Sequence, residues 1–427
     1  MWIVIFIFIS VFINSIVLIQ QPFEFYLGYF IFIILLPSYL GKYGINRQIL
    51  LIFTVLFISG LYNILLDNNT AALFFKVFAG MFISYVFYHC VVEEFKFDIE
   101  QLFKWYLKGC YIAALIGVFQ FVSYILKFEP GYNYRWLFNK WGIATGGNFG
   151  IRINSIFGEP TYLAAVLSAA FFVSLHNLIR KKNFYLSKFQ SVVIILAYLL
   201  SFSGLGQAGI LLTVLFLAIS YGFVRYIFIF IPVGILIFNV MYENLPDFRN
   251  RFESLYDLFN DGKFVLGKTH GSSFILYNNY HVATENFKTN FVFGTGLGSH
   301  PIAYEQYSIA KDIKVRGFDQ NSADANSMLL RLISETGIFG VTVFLIIVFK
   351  CYVKRNPDNE SIHWLISNSL LIMILLNLFR QGHYFLNGFP LFVIMYYYNY
   401  TNHQKYLEEL DAEGQESLVT NLDPSSA

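Results

Sequence analysis

Long apolar runs separated by short polar segments organise the chain. Runs of spanning length begin near Trp2, Phe23, Gln48, Ala71, Trp105, Pro160, Gln190, Gln207, Phe223, Ser327, Ile362 and Tyr384. Each supplies the roughly 20 apolar residues that an α-helix needs to cross a bilayer. Backbone in lipid has to bond to itself, which a helix does unaided. The pattern predicts an all-α polytopic integral membrane protein with about 12 transmembrane helices. The stretch from Gln190 to Arg225 reads either as one helix broken at Gly204-Leu205-Gly206 or as two short helices meeting there. Counting two keeps Arg180-Lys181-Lys182 and Lys354-Arg355 on one side. The first run lacks a basic leader and an Ala-x-Ala site, so it reads as a retained helix.

Composition agrees. Of 427 residues, 56% are hydrophobic and 13% charged, about half the roughly 25% charged residues of a soluble domain. Mean hydropathy is +0.55. These values exclude a secreted, nucleic-acid-binding or cytosolic protein, and a net charge of +2 is too balanced for a polyanionic partner. Lys and Arg set the orientation. Lys42 and Arg47, Lys96 and Lys104, Arg180 to Lys188, Arg225, and Lys350 to Arg355 all follow even-numbered runs. The positive-inside rule then puts those loops and both termini in the cytoplasm. Two long loops face outward, 127–159 and 242–326, with a short charged one at Arg380 to His383. Cys90, Cys110 and Cys351 fall near cytoplasmic helix ends, where thiols stay reduced. The expected division is a membrane domain over 1–401 and a polar, fraying cytoplasmic tail over 402–427.

Chemistry-bearing residues gather in the outward segments. The first contains Tyr134-Arg135-Trp136, Lys140-Trp141 and Gly146-Gly147, then Arg152 and Glu159 before Pro160. Pro160 suits a first helical position, so Arg152 and Glu159 stand beside a helix N-terminus, where unpaired N–H groups attract anions. An Arg fork grips phosphate with two bonds, and a Glu there can take a proton from a sugar hydroxyl. The alternative is that Arg152 reaches lipid headgroups with Glu159 as its partner. The second loop opens with Arg249 and Arg251 and passes Lys268 and His270. A helix-like stretch follows through Phe274, Tyr277, His281, Glu285 and Lys288, ending at Gly294-Thr-Gly296-Leu-Gly298. Turns that need positive φ account for those glycines. Arg331 and Glu335 form an i,i+4 pair inside the tenth run, where ionisable groups suggest function and a mutually neutralising structural pair is the alternative. Eight scattered His and no His/Asp/Glu set at ligand spacing predict no metal.

Asn326-Ser327, nine residues, then Gly337-Ile-Phe-Gly340 resembles a signature of the bacterial O-antigen polymerase and O-antigen ligase superfamily, where the first residue is usually His. Gly294 to Ser299 is similar to its Gly-x-Gly-x-Gly segment, Arg152 to Leu163 to its Arg-containing entry into a central helix, and Ser201-Phe-Ser203 to its Ser-rich turn. In order and topology the likeness covers nearly the whole chain. Two departures stand out: Asn326 replaces the signature His and cannot act as a base, and Gly204 stands where an Arg often follows the turn. Polymerase is favoured over ligase, with Arg, ten residues, then Gly in both outward loops (Arg135 to Gly146, Arg251 to Gly262) as a weaker cue.

The resemblance implies a GT-C-like hexosyltransferase in the bacterial inner membrane that uses no cofactor. It would transfer a glycan from undecaprenyl diphosphate onto a lipid-linked repeat unit, with membrane lipids and a chain-length regulator protein as further partners. The ligase alternative ends on lipid A core. The expected roles are Arg152 with Arg331 or Arg380 on the diphosphate, Glu159 or His281 as base, and Arg135, Arg251, Trp136 and Tyr304 on the glycan. Trp141 is a further stacking candidate, although Trp and Tyr also crowd membrane interfaces without a ligand. His383 reads as a polar interface residue. A flippase for lipid-linked oligosaccharides is the rival from another class.

Overall fold

The computed structural model describes residues 2–20, 24–147, 149–223, 227–244, 246–261, 269–309, 321–357 and 361–422. Phe23, Arg225, Gly262, Lys268 and 423–427 lie outside the described residues, which are mostly helical. α1 (Trp2–Phe12) connects to α2 (Leu27–Tyr43) through an antiparallel pair, β1 (Val17–Ile19) and β2 (Phe25–Tyr26). α3 (Arg47–Leu65), α4 (Ala71–Glu94) and α5 (Ile99–Ile125) follow. The first long loop carries α6 (Glu129–Tyr132) and a second antiparallel pair, β3 (Ala144–Thr145) and β4 (Ile151–Arg152). Next come α7 (Pro160–Arg180), α8 (Lys188–Leu200), α9 (Gly204–Ser220) and α10 (Ile227–Asn244). The second long loop folds into α11 (Pro246–Asp261), α12 (Gly271–Thr289) and α13 (His300–Tyr307). The series continues with α14 (Met328–Lys350), α15 (His363–Arg380) and α16 (Phe389–Leu422).

Polar residues at the boundaries decide where several helices start. Asn46, Thr70, Asp98 and Ser187 each accept a backbone N–H of the following first turn, and Gln190 closes a reciprocal box with Ser187. Such caps are worth about 1 kcal/mol each. Within the described residues each predicted apolar run overlaps a helix. Six of these, α3, α4, α5, α7, α14 and α15, are long and apolar enough to cross a membrane, while α1, α2, α8 and α9 are shorter. On α3, Leu51, Ile58 and Leu65 form an exposed stripe, whereas Gly60 lies against the Phe74 ring with no room for a side chain. An apolar outer face and a close-packed inner one suit a helix between lipid and protein. α7 and α15 are the most enclosed spans, and α7 packs on α5, α8, α9 and α15.

Two expectations change. The break between the seventh and eighth runs lies at Ser201-Phe202-Ser203, just before the glycines, and α9 begins at Gly204. The tail does not fray at 402: α16 runs on as one helix to Leu422.

Two loop segments fold back into the helices at the loop-bearing end. Residues 151–157 are enclosed by the helices, and several groups of their irregular backbone find partners, as buried backbone requires. Gln120 Oε1 accepts the N–H groups of Asn154 (3.1 Å) and Ser155 (2.9 Å), and Ser155 Oγ donates to the Ala113 carbonyl of α5 at 2.7 Å. Ile153 N–H reaches the Leu200 carbonyl at the end of α8. From the other side Ser15 donates to the Ile156 carbonyl, and Asn14 accepts the Gly158 N–H.

The second segment, 291–298, sits against a break in α14. Gly337 leaves the helical region (φ 61°, ψ −162°), which frees backbone groups on both sides. Ile338 and Phe339 N–H donate to the Phe291 and Val292 carbonyls, and the Ser334 and Glu335 carbonyls accept from Thr295 and Gly296. Gly294, Gly296 and Gly298 all have positive φ, as their spacing predicts. Gly340 leaves the space that the Thr336 side chain fills.

Candidate functional site

The α8–α9 break is the centre of the site. Phe202 there has φ 43°, a backbone conformation costly for a bulky residue, and its ring covers Gly147. Ser203 occupies the N-cap position of α9 without capping it. Its Oγ is buried and, among the described residues, makes no hydrogen bond. The first turn of this 17-residue helix is left without a side-chain cap, beside a hydroxyl that makes no hydrogen bond among the described residues.

Two arginines from distant parts of the chain meet this break, and a third lies near one of them. Arg152, at the end of β4, donates from Nε to the Ser201 carbonyl at 3.5 Å. Arg251 of α11 brings Nη1 to 3.0 Å from where a Gly204 Cβ would stand, so the missing side chain at 204 makes room for the guanidinium. Arg380, the last residue of α15, donates to the Ser272 carbonyl at 3.5 Å and lies within electrostatic reach of Arg251. Among the described residues, neither Arg251 nor Arg380 has a carboxylate at ion-pair distance, and Arg251 Nε is buried without a hydrogen bond. Like charges near one another with no carboxylate paired to them among the described residues, one of them at a helix N-terminus, are the kind of setting that favours an anion. Arg251, expected on the acceptor glycan, lies in electrostatic reach of Arg380.

A second polar group borders it. Glu159, the residue before α7, reaches solvent, yet enclosure raises its pKa above the ordinary value. Lys140 and Arg152 pull the other way, Asp324 adds to the rise and His383 opposes it. Lys140 pairs with Glu24 and touches the Tyr26 hydroxyl at 2.7 Å. Asp324 Oδ2 lies 3.0 Å from His383 Nε2, while its Oδ1 accepts the Asn326 N–H at 3.0 Å. Burial opposes the charge of Asp324, but His383, that N–H and Arg331 outweigh it and hold the carboxyl well below its usual range.

Arg331 is not available to a diphosphate. It is buried, bonded through Nε to Glu335 Oε1 at 2.8 Å and through Nη1 to the Gly382 carbonyl at 2.9 Å, and stacked on the Tyr384 ring. The other Glu335 oxygen accepts the Tyr384 hydroxyl. The i,i+4 pair is thus a structural clamp between α14 and the 381–384 turn. Asn326 turns the chain with φ 51°, and Ser327 caps α14 while donating to the Leu378 carbonyl of α15 at 2.9 Å.

The remaining candidates divide by burial. Trp136 is 71% exposed and Arg135 is exposed beside it, both free to meet a large ligand. Trp141 and Tyr304 are not: Trp141 donates to the Ser155 carbonyl inside the re-entrant segment, and the Tyr304 hydroxyl accepts from Asn278 between α12 and α13. Their ring type suggested stacking, but packing has used both rings. His281 lies on α12 within reach of Glu285, which pairs with Lys288; it is not among the charged groups that act on Glu159. Sequence reasoning missed the Asp324–His383 contact, whose only signal was that both residues flank predicted spans at the same end. No protein-family model and no curated protein matches the chain.

Proposed function

We propose that the protein is a surface-polysaccharide polymerase of the O-antigen polymerase type, with twelve crossings and cytoplasmic termini in a bacterial inner membrane. On the external side it transfers a glycan from undecaprenyl diphosphate to a lipid-linked repeat unit. The observation that carries the reading is Arg251 against Gly204 at the N-terminus of α9 beside Arg152, with Arg380 in electrostatic reach and, among the described residues, no carboxylate paired to Arg251 or Arg380. A departing lipid diphosphate gathers negative charge as its bond to the sugar breaks. Cations and helix N–H groups fixed at that point stabilise the transition state more than the ground state. Glu159 stands on the acceptor side, where a carboxylate accepts hydrogen bonds from sugar hydroxyls, and Arg135 and Trp136 extend that side outward.

The test is product formation by the purified protein in lipid nanodiscs supplied with undecaprenyl-diphosphate-linked repeat units. Longer lipid-linked glycans are expected. Transfer to added lipid A core instead would make it a ligase, and movement across the bilayer without transfer a flippase; either result overturns the polymerase reading.

A further inference from the structure

We propose that His383, oriented by Asp324, is the base that takes the proton from the acceptor hydroxyl. The inference rests on the transfer reaction proposed above and adds a residue to it.

The geometry is that of a positioned imidazole. His383 Nε2 faces Asp324 Oδ2 at 3.0 Å. With that nitrogen donating, Nδ1 carries the lone pair. The His383 side chain is 34% exposed and that of Asp324 only 12%, so the carboxylate is the inner, fixed partner and the ring is the one a ligand can reach. Asp324 is held on its far side by the Asn326 N–H at 3.0 Å and Asn321 Nδ2 at 3.4 Å. The turn bearing His383 is also fixed. Arg331 binds the Gly382 carbonyl, and a Cβ on Gly382 would overlap the Asp324 carbonyl oxygen, so only glycine lets the two chains lie together. The Arg331–Glu335 pair therefore positions the imidazole through Gly382.

The surroundings suit proton removal at this point. The charged groups that face His383 are Asp324 before α14, Glu159 before α7 and Glu24 before β2, with Lys140 on Glu24 and Arg331 of α14 behind Asp324. Glu159, in electrostatic reach of both Arg152 and His383, places this dyad on the acceptor side of the anion site.

In the step, Nδ1 accepts the hydroxyl proton as the acceptor oxygen bonds to the anomeric carbon. The bond from that carbon to the diphosphate oxygen breaks, and its electron pair leaves with the lipid diphosphate. The imidazolium then releases its proton to water through the exposed edge of the ring. This is the arrangement of a base and its orienting carboxylate, recognised by geometry and not by sequence order.

The experiment compares wild type, H383A, H383Q, D324N and E159Q in the elongation assay across pH 5–9, with folding followed by gel filtration in detergent. Wild-type elongation is required first, and its failure counts against the reaction and not against the residue. Given that activity, H383Q keeps a hydrogen bond to Asp324 but has no basic nitrogen. It is expected to fold and to lose about 10²- to 10⁴-fold in kcat. H383A is expected to regain activity with added imidazole, and E159Q to gain none. D324N is expected to fold and to lower kcat while leaving KM for the lipid-linked acceptor unchanged, because the ring loses the carboxylate that orients it. Folded H383Q or folded D324N with wild-type kcat overturns the proposal.

Discussion

Gly294 and Gly337 run backbone against backbone: a Cβ on Gly337 would stand 2.7 Å from Gly294 N and 2.6 Å from the Val292 carbonyl carbon. The break in α14 and the turn that fills it are thus one structure, and neither can carry a side chain. G337A adds a methyl group both to that contact and to a backbone conformation open almost only to glycine. The expected result is at least about 1–3 kcal/mol of destabilisation, seen as a lower melting temperature in detergent. A smaller fall in G340A would separate the two glycines, since Gly340 keeps helical backbone and its nearest neighbours are Thr336 side-chain atoms, not backbone.

Breaking the Arg331–Glu335 pair leaves a buried charge. R331A and E335A are each expected to lose about 3–5 kcal/mol and to accumulate poorly in membranes. The double variant R331L/E335L removes both charges and is expected to recover abundance while remaining inactive, because Gly382 has lost its anchor. Recovery of activity as well would show that the clamp does not serve the site.

Arg251 and Arg380 carry the opposite expectation. Among the described residues neither pairs with a carboxylate, so R251A and R380A should fold with near-normal melting temperatures and lose about 10²- to 10³-fold in elongation rate, the usual effect of removing one charge-stabilising donor. The check is the turnover of each variant at matched protein level. In R380A, undecaprenyl diphosphate should also raise the melting temperature less than it does in wild type.

Stability on the acid side tests Asp324. Its carboxyl titrates below the ordinary value in the folded protein, so its stabilising contribution is present above the unfolded value of 3.8 and is lost as pH falls through the folded one. Wild type should therefore melt higher than D324N near neutral pH, with the difference shrinking on acidification into the range below the unfolded value. Differential scanning fluorimetry from pH 7 downward measures it; a gap constant with pH would mean that the contribution is not electrostatic.

Apolar run length made the helices legible, and polar loop composition marked the end of the bundle that carries the chemistry. The α12 helix was visible in the spacing of Phe274, Tyr277, His281 and Glu285, and the Arg331–Glu335 pair in its i,i+4 separation. What stayed hidden depends on depth and long-range contact. Nothing local in 150–158 says that Gln120 will take its N–H groups, so Trp141 looked available when it is enclosed. Arg251 and Arg380 are far apart in the chain, and their approach depends on how the start of α11 and the end of α15 pack. The helical tail was obscured because polar composition alone does not distinguish a fraying end from a solvated helix; Lys405 and Glu409 are spaced to support the latter.

The empty position at Gly204 also bears on biosynthesis. A guanidinium lent by α11, and another by the end of α15, means that the pocket beside the α8–α9 turn is completed only by segments translated much later. A nascent chain that has inserted through α9 holds a helix N-terminus and Arg152 but not the other cations. On the proposed reading it lacks the cations that would hold a lipid diphosphate, so premature capture would be avoided by the order in which the ribosome delivers the parts.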